Sequence, residues 1–360
     1  MKMDGLLSVF CGAGGLDLGF EQAGYNVSLA FDIRPDAVLS YNANRPILRQ
    51  SAHCADIREL TLQKLDGLAG GKFEPIGIVG GPPCQSFSRA NKSPIENDPR
   101  HELPFVYSRL IDELNKRKKL HFFVLENVVG LREVPHNDHF ASLKVRFNEI
   151  GFNVFELVLD ARDYGVPQKR ERLILVGLNK TIYPNAVWSR PSNLNFPPDT
   201  LTVRHAFKGL PEPIAFKRGI SAAEIPFHPN HWCMAPKSIK FSTPGALVEG
   251  RRGNRSFKTL SWDQPSITVA YGHREVHIHP NCTRRLSVFE AMRLQGFPDA
   301  YELKGSLTSQ ITQISEAVPP PMAKAVAASI ERLLKMHTPS NDVNAAIKQS
   351  LHKGLPSRTL

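Results

Sequence analysis

The sequence has few cysteines, and no two of them are close together. The five, at positions 11, 54, 84, 233 and 282, make no CxxC pair. An odd, scattered set is not a disulfide framework and fits a reducing cytoplasm. Long hydrophobic runs are missing too: no apolar stretch reaches 18 residues, so no transmembrane helix is expected. Lys2 is followed only by the short apolar stretch 6–10 and then by glycines, which reads as a first strand and not as a signal peptide. Acidic residues are in deficit. The 34 Asp and Glu face 45 Lys and Arg, for a net charge of +11. Between residues 180 and 283 there are 13 Lys/Arg against 6 Asp/Glu, so +7 of the excess lies there. Such a stretch attracts a phosphate backbone, although a solvated basic face has the same composition.

What is present suits a folded protein of one large domain or two smaller ones: 360 residues, 41% of them hydrophobic. Over the first 180 residues, apolar runs alternate with helical patterns. Strands are expected at 6–10, 27–31, 76–79, 122–125, 154–159 and 172–176, and helices at 15–23, 36–44, 103–115 and 140–150. This alternation predicts an α/β class: a doubly wound, mostly parallel sheet with helices on both faces and functional groups at the carboxyl ends of the strands. From 180 to 283 the periodicity fades and 12 of the 28 prolines gather, which predicts a smaller, loop-rich domain. Helical spacing returns at 288–294 and 322–336. The tail from 337 is polar and basic, with one short helix expected near 343–351. The domain reading is therefore 1–179, 180–283, 284–336 and 337–360.

Several short motifs sit at predicted strand ends. In "GGPPCQSFS", residues 80–88, two prolines hold Cys84 on a stiff turn. A half-buried structural cysteine and an exposed nucleophile both fit that stretch by itself. "FCGAGGLDLGF" sets a glycine turn between a strand and a helix, where backbone N–H groups meet a ligand. Asp17 stands where the dinucleotide fingerprint needs its third glycine. Asp32 can hold ribose hydroxyls, and Asp56 an adenine amino group with Ile57 beside the ring. These describe an adenosine site without a pyrophosphate cradle, which suits S-adenosylmethionine better than a nicotinamide cofactor. In "LENV", Glu126 could be a general acid or a hydrogen-bonding anchor. In "QKRER", Arg170 and Arg172 alternate, so on an extended segment both face one way; phosphate, an anionic intermediate, Glu126 or a plain core ion pair would each suit them. His228, His231, Cys233, His277, His279 and Cys282 match no standard zinc spacing, so no metal is expected.

In order along the chain, "FCGAGG", "FD", "ADI", "GGPPCQSFS", "LENV", "QKRER", "RRLSVFEAMRLQGFP" and "QISEAVPPPMAKA" resemble the DNA (cytosine-5) methyltransferases of bacterial and phage modification systems. The resemblance spans about residues 5–330. It implies an S-adenosylmethionine-dependent methyltransferase fold, with an inserted target-recognition domain at 180–283 and no long regulatory N-terminal extension. It makes Cys84 the nucleophile on cytosine C6. Glu126 would hold or protonate N3, Arg172 would contact O2, Arg170 would lie near the thiolate and the phosphate, and Asn127 would brace the turn. The cofactor residues it implies are Phe10, Gly12, Ala13, Gly14, Gly15, Leu16, Asp32, Ile33, Asp56, Ile57, Pro82, Leu103, Glu316 and Ala317. For nucleic acid it implies Ser88 and Thr268 on phosphates. The polar, proline-punctuated stretch 88–102 reads as a mobile loop that Gln85 to Ser88 start, with Arg89, Asn91 and Lys92 able to reach the DNA backbone, or as a plain surface loop. The basic excess adds Arg251, Arg252, Arg255, Lys258 and Arg274.

Two departures stand out. Ser315-Glu316-Ala317-Val318 replaces the family's usual Gly-Asn-Ala-Val, and Ser8 stands where an aspartate is common. The implied partner is double-stranded DNA, with S-adenosylmethionine as donor and S-adenosylhomocysteine as product. A monomer in the bacterial cytoplasm is expected, without a membrane and without a stable complex with any cognate restriction endonuclease. A tRNA-acting relative is the alternative within methyl transfer, disfavoured because the inserted stretch lacks the Cys-Phe-Thr signature. A catalytically silent DNA-binding protein is the alternative from another class, and intact Cys84, Glu126 and Arg172 argue against it.

Overall fold

The computed structural model describes residues 5–45, 51–83, 99–193, 195–251, 257–268 and 277–337. Cys84, Gln85, Ser88, Arg89, Asn91, Lys92, Arg252, Arg255, Arg274 and the helix expected near 343–351 lie outside them.

The amino-terminal half alternates as expected. It runs β1 (Gly5–Val9), α1 (Gly15–Gln22), β2 (Asn26–Asp32), α2 (Pro35–Ala43), β3 (Ala52–Cys54), α3 (Leu62–Ala69), β4 (Gly77–Gly80), α4 (Leu103–Arg117), β5 (Phe122–Asn127), α5 (Asn137–Ile150), β6 (Phe152–Asp160), β7 (Gln168–Lys169) and β8 (Glu171–Asn179). Seven strands form one sheet in the order β3-β2-β1-β4-β5-β8-β6. The first five are parallel, and β8 runs antiparallel to both β5 and β6. Chain order reverses direction across the sheet between β1 and β4, and open α/β sheets bind ligands at such a switch point.

The central strands β4, β5 and β8 have no polar face along their buried lengths, because both faces are covered. On β5, Phe122 and Val124 enter one core cluster, with α1 and the last helix, while Phe123 and Leu125 enter the other, with α4 and α5. Strand β8 does the same with Ile174 and Val176 against Leu173 and Leu175. This is the period-two alternation of a pleated strand applied to an all-apolar run.

Beyond β8 the chain becomes loop-rich, and its described residues hold α6 (Val203–Ala206) and five two-residue strands: β9 (Ile214–Ala215), β10 (Trp232–Cys233), β11 (Lys258–Thr259), β12 (Ser266–Ile267) and β13 (His277–Ile278). A third apolar cluster holds this stretch, joining Val203, Phe207, Trp232 and Leu260 to Phe289, Met292 and Tyr301. Strand β12 pairs with β7, and the Thr268 hydroxyl donates to the Lys169 carbonyl at 2.8 Å, so the insertion is tied directly to the "QKRER" segment.

The chain then returns through α7 (Val288–Leu294), α8 (Leu307–Glu316) and α9 (Pro320–His337). A capping box starts α7: the Glu290 backbone N–H donates to the Ser287 hydroxyl, and the Ser287 N–H donates to the Glu290 carboxylate. Glu290 is buried, and Arg284 meets it with two bonds of 2.8 and 2.9 Å. Helix α9 lies against α1 at a glycine. A Cβ on Gly19 would sit 2.5 Å from the Lys324 backbone N and 2.7 Å from the Pro320 carbonyl, and would also collide with the Ala323 methyl.

Gly19→Val is therefore expected to destabilise the protein by roughly 1–3 kcal/mol, because the two helices must separate. By contrast, Gly67 in α3 has open space around its Cβ position. Gly67→Ala should stabilise by about 0.5–1 kcal/mol. Chemical denaturation of both variants checks the pair.

Candidate active site

The strand ends along one edge of the sheet carry the motif residues side by side. At the end of β4, Gly80 and Gly81 pass so close to their neighbours that no side chain fits. A Cβ on Gly80 would stand 2.8 Å from the Val9 carbonyl, and one on Gly81 would stand 2.9 Å from Oε2 of Glu126. The paired glycines thus let the Pro82–Pro83 turn run over the Glu126 carboxyl. Asn127 holds that turn: its Nδ2 donates to the Pro82 carbonyl at 3.1 Å, while its Oδ1 accepts from the Val128 N–H at 2.9 Å. Below, the Tyr107 hydroxyl lies against the carbonyls of Ile78 and Val124, at 3.2 and 2.8 Å, binding β4 to β5.

Glu126 is only 7% exposed and pairs with Arg172, whose Nε lies 2.9 Å from Oε1. Burial pushes its carboxyl above the usual range, and the guanidinium groups of Arg172 and then Arg170 oppose the shift. A carboxyl held between these influences can hold a proton and donate it. Arg170 is fully buried, and its Nη2 donates to the carbonyls of Ser315 and Ala317 at 3.0 and 2.9 Å. The guanidinium thus fixes the end of α8 beneath the site.

Most of the residues expected to hold a cofactor lie at the ends of β1, β2 and β3. Phe10 turns the chain with a positive φ of 56°, and Gly12 and Gly14 continue in the same left-handed region ahead of α1. Asp32 ties this turn to β2, accepting from the Gly12 N–H at 2.8 Å and the Arg34 N–H at 2.9 Å. Ile33 follows with 62% of its surface exposed, an apolar side chain next to Asp32 at the end of β2. Asp56 caps the next turn and holds Arg58 through 2.9 and 2.6 Å bonds, which lower its pKa. Ile57, Ala13, Leu16, Pro82 and Leu103 are buried, the last at the start of α4. Glu316 ends α8 and faces Arg34.

In the insertion, the Arg251 side chain donates to the Ala246 carbonyl at 2.7 Å. The histidines considered for zinc have other contacts. His231 lies between the Ser287 hydroxyl and the Pro211 carbonyl, and His228 stacks on Phe289 at 4.0 Å. Among the described residues, no cluster of His, Cys, Asp and Glu has the arrangement of a metal site.

The architecture is that of the S-adenosylmethionine-dependent methyltransferases. A putative DNA modification methyltransferase encoded within an E. coli prophage matches it with a TM-score of 0.75 at 24% identity, over 92% of this chain and 100% of that one. The S. pombe Dnmt2 methyltransferase matches with a TM-score of 0.61 at 17% identity, over 93% and 99%. At these identities the likeness shows the fold. The family model described as C-5 cytosine-specific DNA methylase matches residues 5–332, and the chain belongs to that family. It is 32% identical to Type II methyltransferase M.MthTI of Methanothermobacter thermautotrophicus, over 93% of this chain and 99% of that one. It is also 32% identical to Type II methyltransferase M.NmeDI of Neisseria meningitidis serogroup C, over 92% and 84%. The reaction is DNA cytosine-5 methylation. The tRNA-acting and silent alternatives are not favoured.

Two parts of the site escaped the sequence reading. Ser8, which replaces a common aspartate, donates its hydroxyl to Asp17 at 2.8 Å. A carboxylate is therefore present under the glycine turn, supplied from α1 and not from β1. Position 17 registered only as a missing glycine. Arg34 was the other omission, and the acidic departure at 316 was its only signal.

Asp17 is fully buried, and burial pushes its pKa up to about 6, against the attraction of Arg45. The native state therefore binds its proton more tightly than the unfolded chain does. That stabilising contribution is complete below the ordinary value of 3.8 and is lost as pH rises through about 6. Relative to Asp17→Asn, the wild type should lose stability at about 1.4 kcal/mol per pH unit across that window, on the order of 3 kcal/mol in all. Parallel denaturation series from pH 4 to pH 7 check this, and a flat difference would contradict it.

Proposed function

We propose that the protein methylates one cytosine within a short double-stranded DNA sequence, using S-adenosylmethionine and releasing S-adenosylhomocysteine. The observation that carries this reading is the buried Glu126–Arg172 pair beneath the glycine-proline turn that leads to Cys84. The cofactor suits the residues at the other strand ends: a glycine turn opening a helix, Asp32 for the ribose, and the exposed Ile33 with Ile57 and Asp56 for the adenine. When bound, it supplies a methyl group activated on a sulfonium.

Cytosine C5 is a weak nucleophile. The Cys84 thiolate adds to C6 and forms a C–S bond, the C5–C6 double bond opens, and Glu126 gives a proton to N3. The ring becomes an enamine, with Arg172 placed against the charge on O2. C5 takes the methyl group, a base removes the C5 proton, and the electron pair of that C–H bond expels Cys84. The thiolate returns and Glu126 recovers its proton from N3. One preorganised donor of the Glu126 type contributes about 10²-fold to the rate. The turn held by Asn127 fixes the direction of the thiol. Arg170 positions the end of α8 against this site.

The target atom cannot be reached inside a duplex, so the base is flipped out at a cost of about a few kcal/mol. Gln85, Ser88, Arg89 and Lys92 belong to the loop that closes on DNA. Arg251, Arg252, Arg255, Thr268 and Arg274 serve phosphate and groove contacts in a recognition domain of about residues 180–283, between catalytic parts at 1–179 and 284–336. The enzyme acts as a monomer in the bacterial cytoplasm as part of a restriction–modification system, without a stable complex with its endonuclease. No helix of the described residues is long and apolar enough to cross a membrane.

Expression in a host that lacks cytosine methylation should mark one short motif throughout the genome, read by bisulfite sequencing. Cys84→Ala should erase the mark, and Arg172→Gln should slow methylation by about 10²-fold or more. An unmarked genome despite folded, cofactor-binding protein would contradict the reading.

A further inference from the structure

Glu316 replaces a neutral residue with an acid at the end of α8, and the structure gives that acid a specific partner. Its Oε2 lies 2.5 Å from Nη1 of Arg34. The same guanidinium reaches back to Asp32, with Nε 3.4 Å from Oδ1. It also overlies the glycine turn, since a Cβ on Gly12 would be 3.8 Å from its Nη2. Asp32, Arg34 and Glu316 thus form a row of alternating charge beside the glycine turn. Both members of the outer pair keep 35% of their side-chain surface open to solvent.

The sheet order fixes what this row faces. Asp56 follows β3, at the outer edge, and Asp32 ends β2. The glycine turn leaves β1, and the turn leading to Cys84 leaves β4. If Asp56 takes the adenine and Asp32 the ribose, as the S-adenosylmethionine reading has it, the amino-acid arm of the nucleoside crosses the glycine turn, where Arg34 and Glu316 meet. The Ser315 and Ala317 carbonyls on either side of Glu316 are held by the buried Arg170, so the carboxylate stands on a fixed base.

We propose that the Arg34–Glu316 pair is an exchange site for the zwitterionic arm of the cofactor, an inference that rests on the S-adenosylmethionine reading above. Its ammonium takes Glu316 and its carboxylate takes Arg34, whose planar fork suits a carboxylate. Two attractions replace one, and no charge is left unpaired. Opening the pair is inexpensive, because ion pairs open to solvent contribute little. The departure from the family's usual Asn is then a determinant of cofactor selection: this chain favours ligands that carry both charges over nucleosides that carry neither.

The test measures calorimetric binding of two nucleosides to the full chain. S-Adenosylhomocysteine carries the zwitterionic arm, and 5′-methylthioadenosine lacks it. In Glu316→Gln, S-adenosylhomocysteine should bind about 10-fold more weakly or worse, while methylthioadenosine stays within about twofold of wild type. Retained methylthioadenosine binding also shows that the variant is folded. Equal losses for the two ligands, or no loss for either, would make the pair a structural tie and overturn the proposal. If the wild type bound neither nucleoside, the S-adenosylmethionine reading itself would fall, and this inference with it.

Discussion

The rest of the site depends on a carboxyl that is buried and yet remains useful. Glu126 ends a strand with both faces packed, where an isolated charge would be costly. Arg172 answers it from β8, and the two side chains stand together only because β5 and β8 run antiparallel, with Glu126 opposite Ile174 and Asn127 opposite Leu173. The antiparallel strand is thus a functional part of an otherwise parallel sheet. It brings a cation to a carboxyl edge, where a parallel neighbour would begin from the far end. Gly81 completes the arrangement by leaving room for the carboxyl under the turn.

The second constraint is the return of the chain's end. Alternate residues of "QKRER" do different work: Arg172 faces Glu126, and Arg170 holds the last turn of α8 through two carbonyls. The end of β5 and the end of α8 are therefore tied together by residues two apart. The close approach of α9 to Gly19 holds the returning chain against α1, and the pairing of β7 with β12 holds the insertion against the "QKRER" segment. Thiol, methyl group and flipped base must meet within about 3–3.5 Å, and rigid supports of this kind hold such geometry.

Much of this was legible in the sequence. Apolar runs located the six long strands, and the order of short motifs located Glu126, Arg172, Asp32 and the glycine turn. What escaped had polar or glycine-rich patterns. Helix α8, "LTSQITQISE", has Leu307, Ile311 and Ile314 at helical spacing, but the buried Gln310 and Gln313 between them mask that short period. Helix α3 is short and carries Gly67 within it. The Ser8–Asp17 contact and the Arg34–Glu316 pair join distant positions, and no local pattern reports such pairings. The burial of Arg170 and its hold on α8 were not legible, because sequence shows charge but not burial.

The central claim is that Glu126 activates the base for attack by Cys84, and covalent trapping tests it most directly. Duplex DNA carrying 5-fluorocytosine at the target position has no C5 proton to lose after methyl transfer, so the protein–DNA bond persists and can be mapped by mass spectrometry. The account predicts an adduct at Cys84 in the wild type and its formation about 10²-fold more slowly in Glu126→Gln. An adduct at another residue, or one formed at the wild-type rate in Glu126→Gln, would contradict it.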